Sequence, residues 1–138
     1  MEKFKLNGFY NYDPIIGGKG KLEGEIELYQ DNSFKGSIQD IASINPQQAI
    51  QGHFIRGLDI ERLVFIKFPV SQNIAKLVYD LTKNGNGNII GDYQGTWKAL
   101  PYKITFNENS KIFLADITYD PSVKSIGDVA EISVAEDK

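Results

Sequence analysis

The sequence predicts an all-β protein, an antiparallel up-and-down meander closed into a barrel of about eight to ten strands. Three observations carry this. Apolar and polar residues alternate along most of the chain, turn-forming clusters interrupt the alternation at regular intervals, and glycine recurs inside the strands with a fixed relation to apolar neighbours.

The elements follow in order. Residues 4–12 form a first alternating run, closed by Asp13-Pro14 and the loose stretch Gly17-Gly18-Lys19-Gly20. Residues 21–29 give the clearest pattern, with Leu22, Ile26 and Leu28 on one face and Glu23, Glu25 and Glu27 on the other. Gln30-Asp31-Asn32-Ser33 reads as a turn into a third strand, 34–41, and Asn45-Pro46 marks a longer connection. Two strands, 49–56 and 60–69, flank Gly57-Leu58-Asp59. Residues 75–82 and 89–100 flank Asn84-Gly85-Asn86-Gly87, the strongest hairpin signal, since Asn-Gly readily adopts positive φ. Strands 102–106 and 112–119 form a further hairpin. The tail, 120–138, contains a candidate last strand at 129–134. One domain of 138 residues accommodates all of this.

Glycine in a strand interior needs a reason. The pattern Φ-x-Gly-x-Φ, with Φ apolar or aromatic, occurs around Gly8, Gly24, Gly36 and Gly52. It occurs twice more, overlapping, around Gly91 and Gly95 in Ile89-x-Gly91-x-Tyr93-x-Gly95-x-Trp97. Alternation puts each of these glycines on the apolar face, which is the concave side of a curved sheet. There a missing side chain lets the strand coil and leaves room for a neighbouring ring. An open sheet would leave two bare edges, and closure removes them.

The same parity places Tyr10, Tyr12, Tyr79, Tyr93, Tyr102, Tyr119 and Trp97 inward, with Asp40 and Arg56 on that face near strand ends. Buried phenols need hydrogen-bond partners, which a pocket or a wet barrel mouth would supply; hydroxyls at strand ends can also simply reach solvent. Tyr10, Tyr12, Arg56, Tyr79, Tyr93 and Trp97 are therefore the candidate ligand-binding residues, Arg56 as an anchor for an anionic group. The run Leu63-Val64-Phe65-Ile66-Lys67-Phe68-Pro69-Val70 is apolar on both faces and should be covered on both, by a lid, the tail or a second subunit, so a homodimer is expected as one of its coverings.

Composition excludes several functions. The chain has no cysteine, which removes disulfides, thiolate nucleophiles and cysteine-ligated metals. His53 is the only histidine and faces outward, so neither a catalytic triad nor a multi-histidine metal site can form. Asp40 is the one acid that parity turns inward, where a two-carboxylate mechanism needs a pair. Residues 17–21 lack the Gly-Lys-Ser/Thr ending of a phosphate loop, and Asp80-Leu81-Thr82-Lys83-Asn84-Gly85 has Thr82 where a calcium loop places an oxygen-rich ligand. The formal net charge of −3, with scattered lysines and arginines, gives no track for a nucleic acid. No segment has the apolar length of a bilayer span or a signal peptide, and a cytoplasmic location is expected, although a secreted chain trimmed of its signal would read the same.

Gly8-Phe9-Tyr10-Asn11, the following strands with Leu22-x-Gly24, and Gly95-Thr96-Trp97 together resemble the lipocalin and avidin type of small-ligand barrel over roughly residues 4–119. Gly8-x-Tyr10 stands where lipocalins typically have Gly-x-Trp. The resemblance implies a calycin-like barrel and favours ligand binding, without naming a ligand. The leading expectation is a non-enzymatic barrel that binds a small apolar or amphipathic molecule, with no cofactor and no metal. The alternative is an interaction or inhibitor module working through the outer strands and residues 63–70. A third reading is an isomerase or cyclase whose tyrosines steer a reactive substrate.

Overall fold

The computed structural model describes residues 2–11, 19–40, 47–57, 60–68, 77–84, 88–99, 102–106, 115–119 and 126–137. They form ten strands: β1 (Glu2–Asn11), β2 (Lys19–Leu28), β3 (Ser33–Asp40), β4 (Gln47–Arg56), β5 (Ile60–Phe68), β6 (Leu77–Asn84), β7 (Gly91–Ala99), β8 (Tyr102–Phe106), β9 (Ala115–Tyr119) and β10 (Ile126–Glu136). Eight of them close an antiparallel barrel in the order β1-β10-β7-β6-β5-β4-β3-β2. The expected meander is present, with one difference. β8 and β9 pair only with each other and leave the barrel wall between β7 and β10.

The tail supplies the closing strand. β10 pairs with β7 on one side and with β1 on the other, where Leu6 faces Val134 and Tyr10 faces Ala130. β10 therefore does not overlie residues 63–68; residues 69–70 lie outside the described residues. On the outer side of β5, Ile66 is 3 % exposed and its β4 partner Gln51 is buried as well, whereas Val64 is only half-buried.

Alternation decides which side chains fill the barrel. β2 turns Leu22 and Ile26 inward and leaves Glu23, Glu25 and Glu27 outside. With eight strands the interior is just wide enough to be filled by side chains. Here rings fill it in a continuous series: Tyr93, Phe54, Phe34, Phe65, Tyr79, Tyr10 and Trp97, each within 6.5 Å of the next, centroid to centroid. Phe65 and Tyr79 stack face to face at 4.7 Å. Such pairs add about 0.5–1.5 kcal/mol each beyond the apolar area they bury.

The two glycines of β7 act differently. Gly91 has φ of +141°, a conformation that side-chain-bearing residues rarely adopt, and it starts the strand. Gly95 has no such φ. A Cβ there would sit on the carbonyl oxygen of Asp80 and 2.8 Å from the Cα of Leu81, both backbone atoms of β6. Its role is close approach between strands, which permits the tight coil that a small barrel requires. Added Cβ atoms at Gly8, Gly36 and Gly52 would meet neighbouring carbonyls in the same way.

The β2–β3 turn is held by Tyr29 and Asn32, whose N–H groups donate to Ser33 O (2.9 Å) and Tyr29 O (3.1 Å). Asn32 takes positive φ, and Asp31 accepts hydrogen bonds from the N–H and hydroxyl of Ser33.

Candidate functional site

Strand directions define the two ends of the barrel. At the upper end β1, β3, β5 and β7 finish, and the connections 12–18, 41–46, 69–76 and 100–125 join their strands there. The turns 29–32, 57–59 and 85–90 join strands at the lower end. Each end carries one layer of buried polar groups.

The upper layer is built from inward positions near the upper ends of four strands. Asp40 closes β3, Lys67 lies near the end of β5, Tyr10 near the end of β1, and Tyr79 near the start of β6. The Lys67 ammonium donates to Asp40 Oδ2 at 2.8 Å and to the Tyr79 hydroxyl at 3.1 Å. The Tyr10 hydroxyl lies 2.9 and 2.8 Å from the two carboxylate oxygens of Asp40. Lys67 and Asp40 are 1 % and 2 % exposed. The ammonium also lies over both rings, 4.7 Å from the centroid of Tyr10 and 5.2 Å from that of Tyr79. Trp97 meets Tyr10 edge-on at 5.7 Å, and its indole N–H donates to Asn11 O at 2.6 Å.

Burial sets the proton affinities of this layer. It pushes the Lys67 ammonium below the usual lysine range, an effect the Asp40 hydrogen bond and charge partly oppose. Burial raises Tyr79 well above an ordinary phenol, and Tyr10 and Asp40 raise it further. Tyr79 is accordingly a neutral hydroxyl at any physiological pH. Taking two charges out of water costs several kcal/mol each, so such a pair is weak support for stability. Perturbed, charge-paired groups of this kind cluster at functional sites.

The lower layer centres on Glu61, which is fully buried. It accepts from Arg56 Nε at 3.0 Å and from the Tyr93 hydroxyl at 3.3 Å. The single proton of that hydroxyl is shared with Ile89 O, which lies nearer, at 2.7 Å. Burial raises the Tyr93 phenol, and the neighbouring Glu61 charge raises it further. Arg56 itself stays well exposed, its side chain running from the strand end down to Glu61.

The candidate residues thus separate into two groups. Tyr10, Tyr79 and Trp97 come together at the upper end, and Arg56 and Tyr93 come together at the lower. Tyr12 lies outside the described residues, as do the side chains of Tyr102 and Tyr119. Arg56, expected as an anchor for an anionic group, donates its Nε–H to Glu61 Oε1. Asp40 is not the sole inward acid: Glu61 is the second, at the opposite end, too far along the barrel to work with it. Among the described residues, the inward phenols Tyr10, Tyr79 and Tyr93 are satisfied by buried charges and a backbone carbonyl.

Lys67 and Glu61 were hidden for one reason. In β5 the inward set is Glu61, Leu63, Phe65 and Lys67, yet the outward Val64 and Ile66 are equally apolar, so the alternation that assigns faces elsewhere is silent. The pairings Val64↔His53 and Phe65↔Gly52 carry the missing signal, because Gly52 and Phe54 are unambiguously inward.

Two adjoining hollows lie on the outer face of β1–β4. One, of about 420 Å³, is lined by Lys3, Glu27, Lys35 and Ala49; the other, of about 460 Å³, by Lys5, Asn7, Gln39 and Gln47; Glu25 and Ser37 border both. Among the described residues, no helix is long and apolar enough to cross a membrane. No protein-family model, curated protein or solved structure matches the chain.

Proposed function

We propose that the protein is a non-enzymatic binding barrel that takes a small apolar or amphipathic molecule at its upper mouth. Tyr10 and Trp97 form the apolar contact, with Tyr79 and the Lys67–Asp40 pair as its polar floor. The single observation behind this reading is the fully buried ion pair, capped by two phenols and a tryptophan, at the end where β1, β3, β5 and β7 finish. An apolar wall with few, fixed polar groups is the usual make-up of a small-molecule site. The filled middle of the barrel favours a ligand held at the mouth over one threaded along the axis. Arg56 and Tyr93 belong to the lower layer and take no part.

The test is the emission of Trp97, the sole tryptophan, titrated with fatty acids, haem and planar aromatics. Saturable quenching or a spectral shift, weakened in Tyr10→Ala, is expected. Unchanged emission across the whole panel overturns the reading.

A second reading, a protein-interaction module, draws on the outer hollows. Their mixed Lys3, Lys5 and Lys35 against Glu25 and Glu27 suits a polar protein surface better than a lipid. Charge reversal at Glu25 would abolish such an association and leave Trp97 titrations unchanged.

A further inference from the structure

We propose that Lys67 and Asp40 condense into an intramolecular isopeptide bond that staples β5 to β3 across the intervening β4. The argument starts from proximity. The amine and carboxylate are held at 2.8 Å, both essentially without solvent exposure, on strands whose positions are fixed by continuous pairing through β4. Groups so positioned behave as though present at effective concentrations on the order of 10⁵ M or more, which drives an amide-forming equilibrium that is unfavourable in dilute water. Exclusion of water acts in the same direction, because water is the product.

The surroundings supply the proton chemistry. Burial pushes the Lys67 ammonium towards the neutral amine, and as the reaction begins its proton passes along the existing 2.8 Å hydrogen bond to Asp40 Oδ2. Lys67 Nζ then adds to Cγ of Asp40. The Tyr10 hydroxyl, in contact with both carboxylate oxygens, donates to the oxygen on which charge develops and protonates the departing hydroxyl. The Tyr79 hydroxyl, 3.1 Å from Nζ, relays the proton the nitrogen sheds, and both phenols end the cycle unchanged. The balance is ammonium plus carboxylate giving one amide and one water, two of the three ammonium protons leaving with one carboxylate oxygen. Neither an oxidant nor a co-substrate is needed. The rings of Tyr10 and Tyr79 enclose the ammonium from two sides and exclude a competing water.

This inference is independent of the ligand reading: a site can bind with or without the bond. The test is the intact mass of the purified full chain under denaturing conditions. The wild type should be lighter than its sequence by one water, and Lys67→Met and Asp40→Ala should show the full sequence mass. Asp40→Asn should lose ammonia in place of water if it reacts at all. Trypsin should fail to cut after Lys67 and should release residues 36–56 joined to residues 63–76 as one branched peptide. That wild-type peptide map locates the bond even if a variant does not fold. A wild type at its full mass after prolonged incubation, or a water loss retained in Lys67→Met, overturns the proposal and leaves the pair as an ion pair only.

Discussion

Replacing Gly95 by alanine tests whether the barrel depends on backbone contact between β6 and β7. The added methyl would overlap the Asp80 carbonyl and stand 2.8 Å from Leu81 Cα, and neither atom can rotate away as a side chain could. The strands must therefore part locally. Overpacking of this kind costs about 1–3 kcal/mol, and a weakened ladder hydrogen bond on either side adds roughly 1 kcal/mol apiece. A loss of about 3 kcal/mol is expected. At roughly 3 °C per kcal/mol for a chain of this length, the thermal midpoint falls by about 10 °C. The assay is urea and thermal unfolding followed by circular dichroism and by Trp97, two residues along the same strand face. Gln94→Ala, exposed on the opposite face, is the control and should stay within about 0.5 kcal/mol. Gly95→Ala within 1 kcal/mol of wild type would refute the claim that close approach, and not merely strand flexibility, put glycine there.

Other perturbations follow from the two polar layers and the turn. Lys67→Met should destabilise by about 3–5 kcal/mol by leaving Asp40 buried opposite a thioether, and pairing it with Asp40→Leu should recover part of the loss in urea unfolding. Arg56→Ala should cost about 2 kcal/mol, less than a fully buried pair because the guanidinium is well exposed, whereas Arg62→Ala, breaking the 2.8 Å but exposed pair with Asp80, should change stability by under about 1 kcal/mol. Burial holds His53 below its ordinary value of 6.5, partly opposed by Asp31, so the folded state prefers the neutral ring. Its contribution is present above pH 6.5 and lost as pH falls through the folded-state value, because the unfolded chain takes up the proton first. His53→Gln should flatten that slope in a pH series of urea midpoints.

Most of the wall was legible because most strands have one charged face and one apolar face. β2 is the limiting case, with three glutamates outside fixing Leu22, Gly24 and Ile26 inside. The glycine pattern carried closure, since each crowded position marks a strand pressed against its neighbour. The limits were equally physical. Periodicity says nothing where both faces are apolar, so the charged ends of β5 escaped notice. Nor does it tell a wall strand from a hairpin that leaves the wall, since β8 and β9 alternate like the rest. Tyrosine parity was right for Tyr10, Tyr79 and Tyr93, but parity cannot say which end of the barrel a side chain occupies. The division into two polar layers required strand direction and register.

The seam between β1 and β10 joins two wall strands that lie more than a hundred residues apart in sequence. Until residues 126–136 are made, β1 to β7 form an open ribbon with two unsatisfied margins, and the ring series inside stands half bare. Assembly of this chain is therefore a single late event limited by contacts of long sequence separation, slow by the standards of helical proteins and vulnerable to clumping in the interval. A polypeptide halted before Ile126 should accumulate as aggregates, not as a smaller soluble sheet.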